Sequence, residues 1–170
     1  MRADFIEKED TEFIYRLLMP ENGLAIKIAD HTGLRISDVL SLKRTALKPS
    51  FSIVEAKTGK KFKVNLGKKL FSEIQRFCTE NPTKSEFLFP NKRNFEKHRT
   101  RQTVWADVKR AGKALRMRDN VSPHSFRKAF AVQLMRKGVP LGEIQRRLNH
   151  TNEATTIIYA LADALRKKKK

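Results

Sequence analysis

The chain has 170 residues, a mass of 19.7 kDa and a single cysteine, Cys78, which excludes a disulfide framework and a cysteine-built zinc site. Lysine and arginine total 37 against 18 acidic residues, a formal charge of +19, while 39% hydrophobic and 32% charged residues make a globular rather than a disordered composition. No apolar run is long enough to span a membrane, and the opening MRADFIEKEDTEF lacks the apolar core of a secretory signal, so a reducing, intracellular setting is expected.

Taken in chain order, the periodicity predicts a mainly α fold with a small antiparallel β-sheet. Phe13, Ile14, Leu17 and Leu18 mark a helix over Thr11 to Met19, capped by Asp10 or Thr11 and stopped by Pro20. A second helix over Leu24 to Ala29 ends at His31-Thr32-Gly33, where glycine takes a left-handed cap. A short third helix runs from Ser37, as its cap, to Leu42. The period then changes: residues 51–54 and 62–66 alternate as strands around Thr58-Gly59, a hairpin. Lys68 to Cys78 is helical, and Phe87-Leu88-Phe89 reads as a third short strand closed by Pro90. Asn94 to about Leu115 is a long basic helix with a possible break at Gly112. Ser122-Pro123 starts a helix that Gly138 ends near Lys137. Pro140 to Leu148 is another, and Thr151 to Leu165 is helical in part before a frayed lysine run.

The charge is concentrated. Residues 43–69 carry 9 basic and 1 acidic side chains, and residues 91–118 carry 10 and 2, whereas residues 1–23 carry 3 and 6. Two blocks of net +8 in one domain form a polyanion footprint, with nucleic acid ahead of an acidic membrane because no long amphipathic basic helix stands out. Within them Lys60, Lys61, Lys97, Arg99, Arg101, Lys109 and Arg110 are expected to contact DNA, mainly at its phosphates.

Four segments carry possible chemistry. In Ser122 to Arg127, His124 and Arg127 share a face of the first helical turn, where free N–H groups already favour phosphate; a capped helix start with solvated polar residues fits that spacing equally. Arg35, in the turn Thr32 to Asp38, is suited to bidentate phosphate contacts, or to pairing with Asp38 or a helix end. Lys57 stands at the hairpin turn, either delivered to a groove or simply exposed. His150 and Tyr159 close the set. Tyr15, in an apolar helix, reads as core, while His31 and His98 read as solvated or capping.

Together these residues resemble the catalytic domain of the tyrosine recombinases, the lambda-integrase family. The family's T-G-x-R-x-[SD]-[ED]-[LIV] segment is matched by Thr32 to Val39, its hairpin lysine by Lys57, and its H-x-x-R box by His124 and Arg127. Its L-G-H histidine falls 23 residues after the box arginine, as His150 does, and its tyrosine 9 residues further, as Tyr159 does. Asn149 stands where glycine is usual, and Lys128 where a histidine often follows the arginine. The resemblance implies one catalytic domain over residues 1–165 and a basic tail over 166–170, with no preceding helical core-binding domain.

That resemblance implies cleavage and rejoining of double-stranded DNA without metal or other cofactor. Tyr159 would attack the scissile phosphate to form a 3′-phosphotyrosyl bond. Arg35 and Arg127 would hold the non-bridging oxygens, and Lys57 would protonate the 5′-oxygen. His124 would accept the tyrosine proton, His150 would hydrogen-bond the phosphate, and Asp38 would orient Arg35 or a histidine. It further implies self-association, as a tetramer on DNA, in the cytoplasm of a bacterial host of the phage or mobile element. A type IB topoisomerase-like enzyme and a noncatalytic DNA-binding module derived from a recombinase are the alternatives.

Overall fold

Among the described residues six helices and one hairpin pack around a seventh, central helix, and glycine and proline positions decide where several of them begin or end. The computed structural model describes residues 6–54, 56, 59, 61–117 and 120–148. Helix α1, Lys8–Leu17, buries Ile14, with Leu18 just beyond its end, but leaves Phe13 54% exposed. Pro20 both stops this run and opens the next. Helix α2, Pro20–Thr32, holds proline at its first position, where a missing N–H leaves no bond unmade, so it starts a turn earlier than the expected Leu24. Leu24, Ala25, Ile26, Ile28 and Ala29 are all buried, which makes α2 the axis of the core.

Gly33 caps α2 at φ +72°, its N–H donating to Ala29 O at 2.8 Å. A Cβ here would lie 2.5 Å from the Phe130 ring, so only glycine fits both the backbone and the space. Gly33→Ala is expected to lower stability by about 3 kcal/mol, from overpacking and left-handed strain together, measured by urea unfolding.

Helix α3, Ile36–Leu40, follows at once, with Arg35 rather than Ser37 in its capping position. A 3₁₀ turn, Arg44–Ala46, leads to β1, Ser50–Val54, which pairs antiparallel with β2, Lys61–Asn65, in the register Ser50↔Asn65 to Val54↔Lys61. Helix α4 is Gly67–Glu80. The expected third strand does not form as an element. Leu88 and Phe89 are fully buried, but pairing is confined to single bridges, Lys43↔Phe87 and Pro90↔His98. The chain turns into its 3₁₀ segment right after Lys43, and Pro90 has no N–H to extend a ladder.

The long basic helix is likewise shorter at its start. Helix α5 is Arg101–Ala114, capped by Thr100 Oγ1, which accepts from Thr103 N at 3.3 Å. Residues 91–98 form a tight loop because Asn91 and Asn94 accept, through their side chains, the N–H groups of Arg93 and Glu96, both at 2.9 Å. Gly112 does not break the helix. Helix α6, Pro123–Arg136, has the expected Ser122-Pro123 start, with Ser122 N donating to Ser125 Oγ at 3.1 Å, and Gly138 at φ +75° follows it. Helix α7, Leu141–Arg147, packs Ile144 and Leu148 against Ala131 and Leu134 of α6 in a small satellite cluster. The expected helix over 151–165 and the tail 166–170 lie outside the described residues.

A polar node fastens α5 to the α1–α2 corner. Asp107 accepts from Met19 N at 2.9 Å, Asn22 Nδ2 at 2.8 Å and Arg110 Nε at 3.0 Å. Burial alone would raise the Asp107 carboxyl pKa, but these donors outweigh it and hold it below the usual aspartate value. A depressed folded pKa makes this contribution complete above the unfolded value and lost as pH falls through the folded one. Asp107→Asn is therefore expected to be destabilised at neutral pH. The gap in Tm from wild type closes as pH is lowered from about 5 towards about 3, as thermal scans across that range would show.

Candidate active site

Two of the four segments singled out by sequence converge where the C-terminal ends of α2 and α7 meet the first turns of α3 and α6. Arg35 leaves the Gly33 cap half-buried, and its carbonyl accepts from Asp38 N at 2.9 Å and Val39 N at 3.1 Å, which fixes it at the start of α3. Arg127, on the second turn of α6, is only 4% exposed. Its guanidinium donates to Gly33 O and, at 2.7 Å, to Leu148 O. Those carbonyls end α2 and α7, so a buried cation sits at the partially negative ends of two helices.

Asp38 is the third member, 2% exposed. Its Oδ1 accepts from Ala56 N at 3.1 Å, which ties α3 to the hairpin turn one residue before Lys57. Its Oδ2 is buried and meets no donor among the described residues. Burial and then the charge of Arg35 push the Arg127 guanidinium down to about 9, with Asp38 opposing them; burial lowers Arg35 too, again against Asp38. The two guanidiniums are close enough to repel, Asp38 opposes that repulsion, and a pair of planar cationic forks is suited to an anionic phosphate.

His124 is exposed on the first turn of α6, on the same helix face as Arg127. Lys57, Lys60, His150 and Tyr159 lie outside the described residues. Of the two tyrosines, Tyr15 is unsuited to attack: burial and Asp30, which accepts from its hydroxyl at 3.0 Å, push its phenol pKa well up. Among the described residues no group of His, Cys, Asp and Glu is placed to hold a metal ion, and no helix is long and apolar enough to cross a membrane. A cavity of about 960 Å³ between α1, α2, α4 and α6 includes none of Arg35, Asp38, His124 or Arg127.

The expected DNA contacts divide. Lys61, Lys97 and Arg101 are exposed. Arg99 is not: it is 5% exposed, with Nη2 3.1 Å from Glu21 Oε1, and it holds the 91–98 loop to α2. Arg110 is exposed, but its N–H groups are engaged by Asp107 and Leu17 O, so it staples α5 to α1. Lys109 is half-buried and donates to Asn120 Oδ1. Sequence reasoning missed the backbone carbonyls of Gly33 and Leu148, since a carbonyl acceptor has no residue signature, and the burial of Lys128.

Residues 4–166 match the sequence profile of the phage integrase family. Over 131 residues the chain is 37% identical to the tyrosine recombinase XerA of Pyrococcus horikoshii, covering 75% of this chain and 45% of that protein. Over 164 residues it is 33% identical to a tyrosine recombinase of Thermosipho africanus, covering 92% of this chain and 56% of that one. The chain thus spans about half the length of these relatives. Its fold matches the XerH site-specific recombinase bound to palindromic difH in a post-cleavage complex, with a TM-score of 0.72 and 25% identity over 91% of this chain and 48% of that one.

Proposed function

This chain belongs to the phage integrase family, and from that premise we propose that it is the catalytic domain of a site-specific recombinase that cleaves and rejoins DNA through a tyrosine-linked intermediate. The observation that carries the reading is the pairing of Arg35 with the buried Arg127 around Asp38. A phosphate drawn between the two guanidiniums relieves their repulsion. Charge grows further on its oxygens as the pentacoordinate state forms, so both arginines bind the transition state more strongly than the substrate.

The phenol of Tyr159 attacks phosphorus, and the bond to the 5′-oxygen breaks. His124 takes the phenolic proton and Lys57 gives one to the departing oxygen; His150 donates to a non-bridging oxygen. The phosphotyrosyl bond keeps the phosphodiester's energy, so attack by another strand's 5′-hydroxyl rejoins DNA without a nucleotide. Asp38 has a positioning role: it holds Ala56, next to the general acid, against the arginine pair. This reading carries with it double-stranded DNA as the partner, assembly of a tetramer on DNA, and a cytoplasmic site of action.

The end chemistry tests it. After cleavage of a nicked duplex from the ends of the encoding element, the freed strand should carry a 5′-hydroxyl that polynucleotide kinase labels directly, and the protein should block the 3′ end. A 5′-phosphate with an open 3′-hydroxyl would instead mark a hydrolytic nuclease and overturn the proposal.

A further inference from the structure

The chain leaves α7 at Leu148, two residues before His150 and eleven before Tyr159, and three contacts hold it there. Its N–H donates to Ile144 O at 2.9 Å. Its carbonyl accepts from Arg127 Nη2 at 2.7 Å. Its side chain, 3% exposed, lies against the bare Cα of Gly33: a Cβ there would come within 3.0 Å of Leu148 Cδ2 and 2.5 Å of the Phe130 ring. Gly33 closes the ring of contacts, because its own carbonyl accepts from Arg127 Nη1. Among the described residues α7 packs chiefly on α6, in a cluster separate from the main core, so these contacts decide where its end lies.

The last carbonyls of a helix have no partner within it and are ordinarily left to water or a cap. That of Leu148 is held instead by a buried guanidinium of the phosphate site. A leucine that only filled the core would need its apolar seat and not this bond. We propose that Leu148 is a positioning residue for DNA cleavage: its side chain in the Gly33–Phe130 seat and its carbonyl on Arg127 set where the following chain carries His150 and Tyr159 relative to the phosphate. One guanidinium thereby fixes both the phosphate and the segment that delivers the nucleophile. This role rests on the tyrosine-cleavage reading above, and it gives a part in the reaction to Leu148 and Phe130, two apolar residues with no chemistry of their own.

Single-turnover cleavage of a nicked suicide duplex by the full chain, run well below Tm over a range of duplex concentrations, separates rate from affinity. Leu148→Ala keeps the carbonyl and empties the seat. Phe130→Leu loosens the seat from its other side, and as the milder change it carries the test if Leu148→Ala does not fold. Each should lower the maximal rate of adduct formation by a factor on the order of 10–100, while the half-saturating duplex concentration stays within about twofold. Leu148→Met refills the seat and should return to within about threefold of wild type. Ile74→Ala, a truncation of the main core in α4, is the stability control and should cleave at close to the wild-type rate. Replacing the scissile 5′-oxygen with sulfur, which departs without a proton, bypasses Lys57; it should leave Leu148→Ala slow, because the phenol rather than the leaving group is misplaced. Seat variants that are slowed no more than Ile74→Ala, or a Leu148→Ala that sulfur restores to the wild-type rate, would overturn the proposal and leave the cleavage reading intact. Absence of any adduct from wild type would overturn both.

Discussion

Arg127→Lys is expected to reduce strand cleavage by a factor on the order of 10²–10³, with DNA affinity nearly unchanged. Lysine keeps the charge but not the planar fork, so it cannot hold the carbonyls of Gly33 and Leu148 and a phosphate at once. The carbonyls at the ends of α2 and α7 then lose their shared donor in a buried setting. The expected stability loss is about 3 kcal/mol, read as a fall in Tm of roughly 10 °C for a chain this size. Cleavage of a suicide duplex, gel-shift affinity and a thermal scan separate the two effects. Cleavage close to wild type would show that the guanidinium fork has no part in the reaction.

Asp38 gives the second large effect, and two substitutions divide its roles. Asp38→Leu removes the charge that opposes the Arg35–Arg127 repulsion and the acceptor for Ala56 N. Breaking a buried charge cluster from one side costs about 3–5 kcal/mol, and the variant is expected to be poorly folded or unfolded at working temperature. Asp38→Asn keeps an oxygen for Ala56 N and loses only the charge. It should remain folded, with a smaller loss of Tm, and cleave on the order of tenfold more slowly. The comparison is made by urea unfolding and single-turnover cleavage. Equal stability of the two variants would show that the hydrogen bond to the hairpin contributes nothing.

Much of this arrangement was legible in the sequence, and the failures share a cause. Helix α6 was readable because its signals are local: Ser122 and Pro123 at its start and Gly138 past its end act within a turn of the chain. The Gly33 cap was readable for the same reason. Pro20 was ambiguous because its fixed φ suits both the end of one helix and the first position of the next. The 91–98 loop looked helical by composition, but two asparagine side chains take its N–H groups. Arg99 looked like a phosphate contact until its partner Glu21, distant in sequence, came beside it.

The site divides along the same line. Arg35, Asp38, His124 and Arg127 were singled out through their likeness to the family's motifs; spacing alone supplied only the shared helix face of His124 and Arg127. The bonds of Arg127 to two helix-ending carbonyls were invisible, since every residue carries a carbonyl and only tertiary packing selects which ones meet the guanidinium. The same packing ties Asp38 to the hairpin turn, through the N–H of Ala56.

Tyr159 is the proposed nucleophile of the site built around Arg35 and Arg127. The most direct measurement is to trap the protein on a nicked suicide duplex, digest the SDS-resistant complex with protease and map the peptide that carries nucleotide. The mark is expected on Tyr159, and Tyr159→Phe should bind the duplex but give no adduct. An adduct on any other residue, or one that persists in Tyr159→Phe, would contradict it.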